Sequence, residues 1–127
     1  MLFAMDNTFP FSVTYNQDAL LDDSPWQLYQ VLAAFDTPEL AVYKQLSNKY
    51  SRADWQISFV DTTALIMEER APELLDHVEF DEEGYLLDMY LDSEVALHTF
   101  TTIICPVFRQ LPLLGNYMRR IADRRKD

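Results

Sequence analysis

The stretch that most constrains this chain runs from Val78 to Leu91, where apolar and acidic residues alternate on both sides of a short Glu82-Glu83-Gly84 loop. Successive side chains of a strand point to opposite faces. Alternation therefore sets Val78, Phe80, Tyr85, Leu87, Met89 and Leu91 on one face and Glu79, Asp81, Asp88, Tyr90 and Asp92 on the other. Gly84 supplies the positive φ that a tight hairpin needs. Two strands that are apolar on one side and charged on the other belong to an antiparallel sheet packed on one face only. The rest of the chain reads mainly as helices. The expected fold class is α+β, with a small antiparallel sheet (hairpin 78–91 plus an N-terminal strand) packed against several helices.

The flanking segments carry recognisable start and stop signals. Phe9 to Tyr15 is aromatic and β-branched and reads as the N-terminal strand, with Pro10 confining it to the start of that strand or to a sheet edge. Asp22-Asp23-Ser24-Pro25 reads as a helix start, and Trp26, Tyr29, Leu32 and Ala33 follow at helical spacing. Asp36-Thr37-Pro38-Glu39 repeats the signal ahead of Leu40, Tyr43, Leu46 and Tyr50. Ser51-Arg52-Ala53-Asp54 has the outline of a capping box opening a third helix. Its stripe of Trp55, Phe59, Thr63, Ile66 and Ala71, thickened by Ile57, Val60, Ala64 and Met67, is wide enough to predict a largely buried helix that Pro72 ends or restarts. Ser93-Glu94 caps the next helix, with Val95, Leu97, Phe100, Ile103, Ile104 and Val107 expected inward and Pro106 expected to kink or end it. A last helix begins near Pro112, with Tyr117, Met118 and Ile121 apolar. No repeat or linker divides the 127 residues, so one domain spanning 1–127 is expected.

Charge narrows the function classes. There are 21 acidic against 10 basic residues, a net −11. The excess is concentrated: residues 53–96 hold thirteen acids and only Arg70 as a base. Such a surface repels nucleic acid and anionic membranes, so a macromolecular partner is expected to be basic. The same charge also serves solubility alone. The basic end (Arg119, Arg120, Arg124, Arg125, Lys126) reads as the cationic terminus of the final helix rather than a nucleic-acid arm. No apolar run approaches the length of a transmembrane helix. Met1 to Asp6 lacks the pattern of a signal peptide, so a cytoplasmic location is expected.

Catalytic chemistry finds little to stand on. His77 and His98 are the only histidines and Cys105 the only cysteine. On one helix, His98 and Cys105 would lie about 10 Å apart, too far for a nucleophile–base pair. Cys105 sits in the run Ile103-Ile104-Cys105-Pro106-Val107 and reads as a buried small hydrophobe. Asp81-Glu82-Glu83 lacks the spacing of a calcium loop. With two glycines in all, no phosphate-cradling loop is available. Neither catalytic residues, nor a metal site, nor a cofactor are expected.

The segment from Ala64 to Phe100 carries a family resemblance. Leu65-Ile66-Met67-Glu68-Glu69-Arg70-Ala71-Pro72-Glu73-Leu74 is a helix running into a Pro-Glu-Leu turn. Val78-Glu79-Phe80-Asp81-Glu82-Glu83, a hydrophobic strand ending at Tyr90, and the Ser93-Glu94-Val95-Ala96-Leu97 helix start leading to Phe100 follow. This pattern resembles the immunity protein 51 family, cytoplasmic proteins that neutralise polymorphic toxins exchanged between competing bacteria. The resemblance implies a stoichiometric inhibitor whose partner is a cognate toxin domain with a basic surface, and no catalytic residues. Glu79, Asp81, Asp88, Tyr90 and Asp92 are the expected partner-binding residues, with Tyr90 as an aromatic anchor in a charged rim. The alternative is an acidic regulatory or adaptor protein that binds another basic protein.

Overall fold

The computed structural model describes residues 8–19, 21 and 23–124, with the side chains of Glu82 and Glu83 left aside. Its centre is a four-stranded antiparallel sheet of β1 (Ser12–Tyr15), β2 (Tyr29–Ala34), β3 (Val78–Glu83) and β4 (Leu86–Leu91) in the order β1-β2-β4-β3. Helices α1 (Ala41–Tyr50), α2 (Phe59–Arg70), α3 (Glu94–Thr99), α4 (Cys105–Phe108) and α5 (Leu111–Arg124) complete the α+β fold. Tyr29, Val31 and Ala33 of β2 and Leu87, Met89 and Leu91 of β4 are buried on the inner face of the sheet. Aromatic rings fill the space behind them. Phe35 stacks on Phe59 with centroids 4.1 Å apart, and Phe11 meets Phe35, Phe100 and Phe108 edge-on. Such pairs add to the area term through their quadrupoles. The buried Tyr43 hydroxyl donates to the Phe108 carbonyl at 2.8 Å, and burial pushes its phenol up to about 12.

Several segments differ from the sequence reading. The predicted helix after Ser24-Pro25 shrinks to one 3-10 turn, Pro25–Gln27, and the chain enters β2, the strand that separates β1 from the hairpin. Trp26, Tyr29, Leu32 and Ala33 do fall at helical spacing, but Tyr29, Val31, Ala33 and Phe35 also alternate, and only these four are buried. Pairing along both edges of β2 overrides the helical preference of its Leu and Ala residues. Asp22 of that start signal lies outside the described residues.

The third helix opens at Phe59, later than Ser51 suggests. The Ser51 hydroxyl instead donates to the Ser47 carbonyl and accepts from the Ile57 amide, both at 2.8 Å, which folds 51–57 into a loop held by an Arg52–Trp55 bridge. Ser58 caps α2, accepting from the Asp61 amide at 3.0 Å. The signature Ser-x-x-Asp occurs at both 51 and 58, and the second directly precedes the unbroken apolar run. The helix is largely buried, as its wide apolar arc predicts, and the Thr62 and Thr63 hydroxyls are satisfied by carbonyls one turn back. A 3-10 turn at Pro72–Asp76 follows.

The hairpin turn is shorter than expected. Glu83 pairs with Leu86, so Glu82 and Glu83 belong to β3 and only Gly84 and Tyr85 make the turn, with Gly84 at φ 60°. Ser93 caps α3 by accepting from the Ala96 amide. Between α3 and α4, Phe100–Ile104 is a π-helical turn, in which the Cys105 amide donates to the Phe100 carbonyl. Proline at 106 has no amide to donate, and the wider turn lets the helix continue past it. The extra residue shifts the apolar phase, and Ile103 faces outward where the sequence predicts it inward. Val95, ahead of the turn, also faces outward, because it lies on the opposite side of the helix from buried Leu97. On α5, Tyr117, Met118 and Ile121 are buried, while Arg120 pairs with Glu69 on α2. Arg125 and Lys126 lie outside the described residues. None of the described helices is long and apolar enough to cross a membrane.

Candidate protein-binding face

Among the described residues, the α-helices pack behind the inner face of the sheet, and the outward side chains of the strands are left at least partly exposed. Strand register sets the outward residues in rows. Thr14, Gln30, Tyr90 and Glu79 form one row across the four strands, and Ser12, Leu32, Asp88 and Asp81 form the next. None of these eight residues is buried. No outward position of the four strands holds Lys, Arg or His.

Glu79, Asp81, Asp88 and Tyr90 therefore lie together, on adjacent positions of β3 and β4. Tyr90 is directly opposite Glu79, and Asp81 directly opposite Asp88. Partial burial raises the Tyr90 phenol above its ordinary value, and the fields of Asp88, Asp81 and Glu79 raise it further. Two amides reach into the cluster. Gln27 donates to Glu79 at 3.3 Å, from the turn that crosses the end of β3 and β4, and Gln30 donates to Asp88 at 3.1 Å. These bonds orient the carboxylates without neutralising them. Like charges directly opposite on neighbouring strands destabilise a sheet, so the Asp81–Asp88 pair is a local penalty that the fold carries.

Asp92 stands apart from the other four. It lies just past β4, where its amide donates to the His77 carbonyl and its Oδ2 accepts from His77 Nδ1 at 2.8 Å. That hydrogen bond and the attraction of the carboxylate hold the imidazole above its usual pKa. Asp92 is thus committed to an internal partner, unlike Asp81 beside Asp88.

Reading β2 as a helix hides the other half of this face. Gln30 and Leu32 supply its polar and apolar middle, beside Tyr90 and Asp88. The signal that finds them is the same period of two, Tyr29-Val31-Ala33-Phe35, that marks their buried neighbours.

The other candidate groups fall elsewhere. Cys105 is fully buried, its Sγ 3.6 Å from the Thr8 carbonyl, and burial pushes its thiol up to about 12. His98 is exposed on α3. A shallow surface depression of about 400 Å³ is lined by Asn48, Arg52, Asp54, Trp55 and Tyr85, with the Tyr85 hydroxyl donating to Asn48. Among the described residues, no group of three or more His, Cys, Asp or Glu is placed to hold a metal ion.

The fold and its open face define an α+β protein whose half-buried antiparallel sheet presents an acidic surface centred on a tyrosine. No family model, curated protein or solved structure matches the chain significantly.

Proposed function

We propose that the protein acts by binding rather than by catalysis, as an immunity protein that neutralises a cognate antibacterial toxin domain, with the outer sheet face as its contact surface. The observation that carries this reading is the Asp81–Asp88 opposition beside Tyr90, on a face whose strands present no cation. A sheet built for stability alone places opposite or neutral partners at such sites. Local rules are broken where function requires it. An acidic face with an aromatic centre complements a cleft lined by Arg and Lys. Carboxylates pair bidentately with Arg in such a cleft and stand where phosphate oxygens of a substrate would sit. The concentrated charge accelerates encounter with a cationic partner above the rate of a neutral pair. The resemblance of residues 64–100 to immunity proteins supports the toxin as that partner.

The test uses the wild-type protein and an Asp81→Lys, Asp88→Lys double variant as bait in the native host. The double change reverses the field while keeping two like charges opposed, so the sheet bears a similar penalty in both proteins. The expected partner is a basic toxin that the wild-type protein silences on co-expression. The variant, folded by circular dichroism, should bind at least tenfold more slowly and fail to protect. Equal association rates for the two proteins refute the face as the site. A basic partner without toxicity refutes the immunity role and leaves an acidic adaptor.

A further inference from the structure

The sheet ends in two unequal edges. β1 offers four residues, whereas β3 offers six, Val78–Glu83, at the edge next to the acidic cluster. The Asp92 amide donates to the His77 carbonyl at 3.2 Å, which sets the phase of the ladder. His77/Asp92, Glu79/Tyr90 and Asp81/Asp88 are then the hydrogen-bonded pairs. Val78, Phe80 and Glu82 consequently turn their N–H and C=O groups away from β4. No backbone of the described residues pairs with them on that side. Such an edge is a template for an added strand.

Resting on the binding function proposed above, we infer that β3 takes up an extended strand of the basic partner, antiparallel and in a register set by charge. A residue directly opposite Phe80 on the new strand shares its face and meets the half-buried Val78 and Phe80. The residues on either side point to the outer face and meet Glu79 and Asp81. The strand that fits alternates apolar and cationic side chains. A second copy of this chain does not fit: antiparallel β3–β3 pairing centred on Phe80 sets Glu79 opposite Asp81 twice. Charge thus closes the edge to self-association and leaves it open to a cationic strand.

Antiparallel geometry makes the arrangement testable with peptides. In the blocked hexapeptide Lys-Val-Lys-Val-Lys-Val, the valines lie opposite Val78, Phe80 and Glu82, so the valine amides are the ones that bond to β3. The lysine amides face outward. N-methylation of the valine amides should weaken binding to the full-length protein at least tenfold, whereas N-methylation of the lysine amides should leave it within about twofold. A block isomer, Lys-Lys-Lys-Val-Val-Val, should bind at least tenfold more weakly than the alternating peptide. At saturation, amide exchange measured by NMR should slow at least tenfold at Val78, Phe80 and Glu82. Failure of every peptide to bind, or any other pattern of N-methyl sensitivity, overturns strand addition. Equal binding of all peptides without protection on β3 also overturns it, while leaving the acidic face standing as a side-chain contact. That broader reading fails separately, when reversal of Asp81 and Asp88 leaves the association rate of the captured partner unchanged.

Discussion

Replacing Asp88 with Asn should make the free protein more stable and a poorer binder. Asp88 lies directly opposite Asp81, and it accepts a hydrogen bond from Gln30 at 3.1 Å. Asn keeps the size and the acceptor oxygen, so the Gln30 bond survives and only the charge is lost. Side chains of a hydrogen-bonded cross-strand pair lie about 5.5 Å apart. Two unit charges at that distance repel by about 0.8 kcal/mol at the dielectric of water, the appropriate limit because Asp81 is exposed. Charge-assistance lost from the Gln30 bond offsets part of this, leaving about 0.5 kcal/mol or less of net stabilisation. For a domain of this size that is about 1–2 °C in Tm. Urea unfolding is the sharper assay, because a shift of midpoint at constant slope isolates stability from changes in compactness. The gain should shrink in 1 M salt, where the Debye length falls to about 3 Å. Partner association should slow in the same variant. A destabilised Asp88→Asn protein, or a gain indifferent to salt, would refute the claim that the fold carries an uncompensated repulsion at this pair.

Three further outcomes follow from the geometry. Gly84→Ala should destabilise by about 1 kcal/mol, read from the urea midpoint, because residue 84 sits at φ 60° and the turn is only two residues long. Tyr43→Phe should cost about 1–2 kcal/mol in the same assay, since it removes the donor to the Phe108 carbonyl inside the core. His77→Gln should be pH-dependent. The folded imidazole titrates above its ordinary 6.5 through Asp92, so its contribution is fully present below that value and is lost as pH rises through the folded pKa. The deficit of the variant against wild type should thus be larger at pH 6 than at pH 9, and equal deficits at both would rule out the ion pair.

What the sequence determined by itself is whatever depends on short-range chemistry. The hairpin, its glycine, and the inward set Leu87, Met89 and Leu91 follow from alternation over a dozen residues, and with them the grouping of Glu79, Asp81, Asp88 and Tyr90. The burial of α2 and of Cys105 follows from runs too apolar to face water. The tertiary structure decided what adjacent residues cannot specify. Tyr29–Ala34 satisfies helical and strand spacing equally, and it becomes a strand because β1 and β4 offer it hydrogen-bond partners on both sides. Two Ser-x-x-Asp signatures compete for one helix start, and the loop bonds of Ser51 to Ser47 and Ile57 resolve the choice for Ser58. The π turn before Pro106 rotates Ile103 outward, a phase shift that no fixed period anticipates. The open face itself is such a product. Its carboxylates come from a hairpin legible in the sequence. Its centre, Gln30 and Leu32 beside Tyr90, exists only because a distant segment pairs between β1 and β4, and long-range pairing leaves no mark on local spacing.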